Sequence, residues 1–262
     1  MGLLDFDNRL TKRQYASLGA GTFVVTIALW QSASAFGWVQ SYFLPSPTAV
    51  LQAGWGLFRD FDLWKDLRAS FYRVTLGYLL AVILGLPVGI LVGAFHVFEA
   101  VIEPMNDFVR YTPLPAFVPL VILWAGIGEL SQVLLIFLGV FWSLIVLVAD
   151  VVSNVPRNLR ETAATLGTGR LKILFHVVVP CAMPGIFDAM RVSIGWAWSS
   201  LILAEIVGAN TGLGHMIMES QRFLRTPNVI AGIVIVGAIG LGLDALFKIA
   251  YAALFPWSPR KG

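Results

Sequence analysis

Arg160-Glu161-Thr162-Ala163-Ala164-Thr165-Leu166-Gly167 belongs to the longest polar stretch in the interior of the chain, and nine residues further on stands Val177-Val178-Val179-Pro180. Small residues around Glu161 predict a short helix that another surface can approach closely. Gly167 permits a sharp turn at its end. Pro180 is expected to set the start of the next helix. On either side the chain becomes apolar, over residues 131–152 before the stretch and 183–207 after it. Each run has the length that crosses a bilayer, about 20 residues. The polar stretch therefore reads as a short helix joining two membrane spans.

Working outward, the same pattern repeats. Apolar runs cover 15–38, 71–95, 101–124 and 228–255, which with the two above makes six expected spans. Only 13% of the 262 residues are charged and 58% are hydrophobic, against about 25% charged in an ordinary soluble domain. The mean hydropathy is +0.80. Too little polar surface remains to cover a soluble core, which excludes a soluble enzyme, a disordered chain and a collagen-like fibre. An all-α membrane protein is expected, because helices and closed barrels alone satisfy their backbone in lipid. Residues 1–14 read as a cytoplasmic tail, and 15–262 as one transmembrane domain with its polar connecting segment at 153–180. The first apolar run is long for a signal peptide despite Ala33-Ser34-Ala35, so an uncleaved first span is expected. Residues 39–70 are more polar, and within them 48–68 read as short amphipathic helices with Trp55 and Trp64 at an interface, while 208–227 reads as a loop.

Lys and Arg set the orientation. With six spans, Arg9, Lys12, Arg13, Arg110, Arg157, Arg160, Arg170, Lys172, Lys248, Arg260 and Lys261 share one side. Arg59, Lys65, Arg68, Arg73, Arg222 and Arg225 fall on the other. Both termini are therefore expected in the cytoplasm. Basic residues scattered over loops suit phospholipid headgroups rather than nucleic acid.

The spacing Glu161–x–Ala163–three residues–Gly167–nine residues–Val177–x–Val179–Pro180 resembles the EAA loop of ABC-importer permeases. Thr162 stands where that family usually has a second Ala, and Val177 and Val179 where it has Ile and Leu. Further stretches are similar to the taurine, alkanesulfonate, nitrate and bicarbonate branch. They are Phe43-Leu44-Pro45-Ser46-Pro47, Arg110-Tyr111-Thr112-Pro113-Leu114-Pro115, Trp124-Ala125-Gly126-Ile127-Gly128-Glu129, and Trp198 to Glu205. Leu114 here separates two prolines that are usually adjacent. The resemblance implies a type I importer permease. Arg160, Glu161, Thr162, Ala163, Ala164, Leu166 and Gly167 would form the coupling helix that docks on an ATPase. Two ATP-binding subunits, a periplasmic substrate-binding protein and a second permease copy would be its partners, in a bacterial inner membrane.

The residues add their own constraints. No Lys follows a Gly, so no Gly-Lys-Ser/Thr phosphate loop exists in the sequence. ATP and Mg are thus expected on partner subunits, and no cofactor, metal site or catalytic residue is expected here. His96, His176 and His215 share no metal-ligand spacing, and the lone Cys181 forms no intrachain disulfide. Pro113, Pro115 and Pro119 break the third span. Its bend either lines the translocation path with Arg110 and Trp124 or is covered by neighbouring helices. On the fifth span Arg191, Gly195, Trp198, Ile202 and Glu205 share one stripe. Arg191 either pairs with Asp188 or lines the path. Glu205 has no partner within four residues of its own helix and is either hydrated at the span's end or paired across helices near an outer gate. Glu129 is expected to be solvated, and Asp150 and Asp244 solvated or paired. Gly85, Gly89 and Gly93 form a close-packing stripe, within one subunit or between copies. The expected function is ATP-driven import of a small anion or zwitterion by alternating access. The competing reading is an ion-coupled secondary transporter, which would carry midplane ionisable groups and often an inverted repeat; no repeat is visible.

Overall fold

The structure, a computed structural model, describes residues 11–60 and 63–258. In chain order its helices are α1 (Lys12–Ala35), α2 (Pro47–Asp60), α3 (Leu63–Ala94), α4 (His96–Arg110), α5 (Leu114–Ala125) and α6 (Glu129–Ser153), followed by α7 (Arg157–Thr165), α8 (Arg170–Ile173), α9 (Val179–Gly208), α10 (Leu213–Arg222) and α11 (Thr226–Leu254). A π-helical turn, Leu174–Val178, joins α8 to α9. No strand occurs among the described residues.

The core is built on α3, α6 and α9. The glycine stripe of α3 lies directly against α6. A Cβ on Gly77 would meet Ile136, one on Gly85 would meet Leu144, one on Gly89 would meet Val148 and one on Gly93 would meet Val152. The offset between partners is the same each time, so α3 and α6 run parallel and stay in contact along their length. The stripe thus packs within the subunit, where missing side chains let the two backbones approach. The α9 helix returns antiparallel along α6, with Gly185 against Val151 near one end and Ser200 against Gly139 nearer the other.

Because α3 and α6 are parallel, the chain between them must recross the membrane. The α4–α5 pair does this with a bend of 98°. Pro113 caps α5 and Pro115 sits in its first turn, where a missing N–H is harmless. Helix α4 ends at Arg110 before Tyr111-Thr112-Pro113, because a residue preceding proline leaves the helical region. The expected third span is therefore two helices starting at His96. Five continuous long apolar helices and this broken pair give six crossings.

Several expected boundaries move. Helix α3 starts at Leu63 rather than near residue 71 and includes Trp64, while Trp55 lies in the amphipathic α2. The stretch expected to be a loop over 208–227 holds α10. Pro180 stands in the first turn of α9, as expected, but the helical rod continues back beyond it to Arg170. The π turn explains how: Val179 N–H reaches back to the Leu174 carbonyl, and this wider turn accommodates the ring. Helix α1 stands apart, its apolar window 0% buried. Its Trp30 indole donates to the Pro45 carbonyl at 2.9 Å.

Candidate functional site

Helix α7 sits at the end where α6 stops and the α8–α9 rod begins. Its C-terminus is closed by a paired cap. Gly167 N–H donates to Ala164 O at 3.0 Å, and Thr168 N–H to Ala163 O at 3.3 Å. This Schellman pattern requires a left-handed residue after the last turn, and Gly167 supplies it with φ +77. A Cβ on Gly167 would meet nothing within 4 Å. Glu161, Thr162, Ala164, Leu166 and Gly167 are exposed and Ala163 is half-buried. Leu166 is 80% exposed, an apolar side chain offered at the tip of a polar helix. Glu161 is held by Arg157 Nε at 2.7 Å. Arg160 differs from the rest. It turns inward, its Nε buried and without a hydrogen-bond partner.

At the opposite ends of the same helices lies a buried ion-pair cluster. Arg73 on α3 is 1% exposed. Its Nε and Nη2 donate to the two carboxylate oxygens of Glu129 on α6, at 2.8 and 2.5 Å. Its Nη1 donates to Glu205 Oε1 on α9 at 2.8 Å and to Thr211 O at 2.6 Å. Its Nη2 also reaches Thr211 Oγ1 at 3.2 Å. All the N–H donors of the guanidinium are used. Glu205, 0% exposed, accepts in addition from Ser70 Oγ at 2.7 Å and Gly214 N–H at 2.7 Å.

Asp66, Ser70 and Arg73 lie on one face of α3, and all three bind the α9–α10 turn. Asp66 takes the Gly212 amide at 2.7 Å, and Ser70 takes the Leu213 amide at 2.9 Å. Only glycine fits this turn. Gly212 has φ +121, and a Cβ there would strike the Glu205 carboxylate. A Cβ on Gly214 would stand 2.9 Å from the Ile202 carbonyl. From Arg73 to Ala94 the helix rises about 32 Å, close to the hydrocarbon thickness of about 30 Å. The cluster thus lies at one membrane boundary and α7 at the other.

Glu205 therefore has a cross-helix partner, and Glu129 is an ion-pair partner rather than the solvated residue expected, although its side chain keeps 59% exposure. Arg191 pairs with both acids in its reach, Asp188 at 3.1 Å and Asp244 of α11 at 2.9 Å, and Asp244 also binds Lys248 at 2.6 Å. Gly195, Trp198 and Ile202 face α11 across a 280 Å³ cavity with Val236 and Gly240. Trp198 is 4% exposed, with Phe71 edge-on at 5.2 Å. Arg110 binds Asp107 at 2.9 Å and covers the Tyr111 ring at the α4–α5 elbow. Pro113 and Pro115 follow in that elbow, and Trp124 is 71% exposed at the far end of α5. Within one copy the structure does not bring Arg110, Pro113, Pro115 and Trp124 into one cavity with Arg191 and Trp198. The two groups sit on different helix pairs, α4–α5 and α9–α11. Among the described residues no cluster of three or more His, Cys, Asp or Glu could hold a metal.

Arg73 is the functional candidate that sequence reading passed over, since it looked like one more outer-side charge. The available signal was Asp66, Ser70 and Arg73 at helical spacing, entering an apolar run, together with Thr211-Gly212-Leu213-Gly214 after Glu205.

The family model for binding-protein-dependent transport system inner membrane components matches residues 85–257. The taurine transport system permease protein of Escherichia coli (strain K12) is 34% identical over 246 residues, covering 92% of this chain and 90% of that protein. The putative aliphatic sulfonates transport permease protein of Bacillus subtilis (strain 168) is 35% identical over 233 residues, covering 89% and 84%. An inward-facing methionine ABC transporter, MetNI, shares the fold with a TM-score of 0.66 at 17% identity, over 74% of this chain and 98% of the matched one. On these matches, the chain belongs to the family of binding-protein-dependent transport system inner membrane components.

Proposed function

We propose that this permease carries a small sulfonate, taurine first, across the cytoplasmic membrane, worked by two ATP-binding subunits and supplied by an external substrate-binding protein. The observation that carries the reading is the position of α7. It is an exposed, firmly capped helix at the inner ends of α6 and α9, whose outer ends are tied together through Arg73. A push on α7 then moves α3, α6 and α9 as one body, because the parallel α3–α6 pair and the buried ion pairs resist bending between them. One body per copy, rocking against a second copy, gives alternating access. With a single α7 per chain and two ATPases to receive it, two copies are needed. On this reading both termini and residues 153–180 belong to the cytoplasm and the Arg73 cluster to the outside, which the excess of Lys and Arg on the α7 side supports. Nucleotide hydrolysis belongs to the partner subunits, in keeping with a sequence lacking Gly-Lys-Ser/Thr. The substrate class is supported by the relatives named for taurine and aliphatic sulfonates.

The test is crosslinking. Cys181 is the sole cysteine, so Cys181→Ser gives a clean background for Ala164→Cys or Leu166→Cys. Either should crosslink to the ATPase subunit of the assembled transporter, with a yield that changes on adding ATP. A folded, assembled complex giving no crosslink from either position would overturn the coupling role of α7.

A further inference from the structure

A cavity of about 420 Å³ opens between the α3–α4 corner and the coupling segment, within the size range of small-molecule sites. Ala94, Phe95 and Val97 line one wall, and Ile173, Leu174 and Val178 the other. Arg160 and Arg170 complete it. Neither arginine has a carboxylate within ion-pair distance among the described residues, whereas Arg157, their neighbour, is satisfied by Glu161. The Arg160 Nε is buried and unpartnered, an arrangement that is expensive unless an acceptor occupies the site. His96 also borders the cavity, but its ring turns to Glu99 at 2.7 Å. The segments that line the cavity also carry exposed apolar side chains, Val97 at 74%, Leu171 at 65% and Phe175 at 64%. Two unpaired guanidiniums above an apolar slot match an anion that carries hydrocarbon, and guanidinium is the side chain suited to phosphate oxygens.

We propose that this cavity binds the phosphodiester headgroup of an anionic phospholipid, with Arg160 and Arg170 on the phosphate and the acyl chains along Val97, Leu171 and Phe175. The assignment rests on reading the α7 end as the membrane's inner face, where anionic lipid attracts basic groups. Bound lipid would brace the back of α7 against α3, linking the membrane's composition to the stiffness of the coupling segment.

The experiment titrates the delipidated full-length chain in detergent with dioctanoylphosphatidylglycerol and with dioctanoylphosphatidylcholine, counting bound lipid by native mass spectrometry. Phosphatidylglycerol should bind more tightly. The R160Q/R170Q double variant should lose about 25-fold in its affinity, from two cations at the membrane surface each contributing about fivefold. R160K/R170K should keep most of the preference, and R170Q alone, at an exposed position, should lose about fivefold. Equal binding of the two lipids, or an R160Q/R170Q variant that keeps the preference, would overturn the site. Glycerol phosphate competing at the same concentration as the lipid would overturn the lipid assignment in favour of a soluble anion. None of these readouts involves ATP or transport, so a transporter that fails in uptake yet binds phosphatidylglycerol selectively counts against the function proposed above and not against the cavity.

Discussion

Arg73→Met removes the cation that joins α3, α6 and α9 while keeping much of the side-chain volume. Glu205, 0% exposed, would then retain only Ser70 Oγ–H and the Gly214 amide. Breaking a buried pair from one side leaves an uncompensated charge and costs about 3–5 kcal/mol. In a chain of this length each kcal/mol moves Tm by roughly 2–4 °C, so the variant should melt roughly 6–20 °C lower. Glu205→Gln is milder. Arg73 keeps Glu129 on two hydrogen bonds, and the loss of one charge-assisted bond is about 1.5–3 kcal/mol. The R73M/E205Q combination removes both ends of the pair and should cost less than the two singles together, by about 0.5–3 kcal/mol. Thermal unfolding of the purified chain, followed by tryptophan fluorescence, reads all three. A loss below about 1 kcal/mol for Arg73→Met is what a solvent-exposed ion pair gives, and it would refute the account of the cluster as a buried tie.

Glu205→Gln should also assemble with the ATPases yet take up substrate poorly or hydrolyse ATP without transport, since the outer tie is loosened; unchanged uptake and hydrolysis in liposomes would confine Glu205 to a structural role. Gly167→Leu should cost only about 1–2 kcal/mol of backbone strain, because its left-handed conformation is all that opposes a side chain, but should abolish substrate-stimulated ATPase activity. Normal stimulation in that variant would remove Gly167 from the docking surface. Gly93→Ala drives a methyl against Val152 and the Ala149 backbone, and its melting should report about 1–3 kcal/mol of overpacking; no change would mean that α3 and α6 are less tightly joined than their register indicates.

The sequence carries the membrane fold and α7 almost completely. Apolar runs of bilayer length and a lone polar helix with a terminal glycine are local patterns, readable from one segment at a time. The break at Pro113 was visible for the same reason, but its angle was not, since a bend depends on what packs inside it. Pro180 marks the start of α9, but the π turn that carries the rod back to Arg170 leaves no mark in composition. The outer cluster was only half legible. Glu205 stood out as an acid in an apolar span, whereas its partner Arg73 stands 132 residues away, and the helical spacing of Asp66, Ser70 and Arg73 marks a polar face without saying which helix covers it. The assignment of the glycine stripe to α6 likewise needed the constant register across two helices, which only the packed structure supplies.

The central claim is that this chain moves substrate only when partner subunits hydrolyse ATP. The direct measurement is uptake of labelled taurine into liposomes holding the permease with its ATPase subunits, with binding protein outside and ATP within. Uptake should require ATP, stop when Arg73→Met or Gly167→Leu is introduced, and persist after ionophores collapse the proton and sodium gradients. Uptake that proceeds without ATP and disappears with the ion gradients would contradict the account and return the chain to the class of ion-coupled transporters.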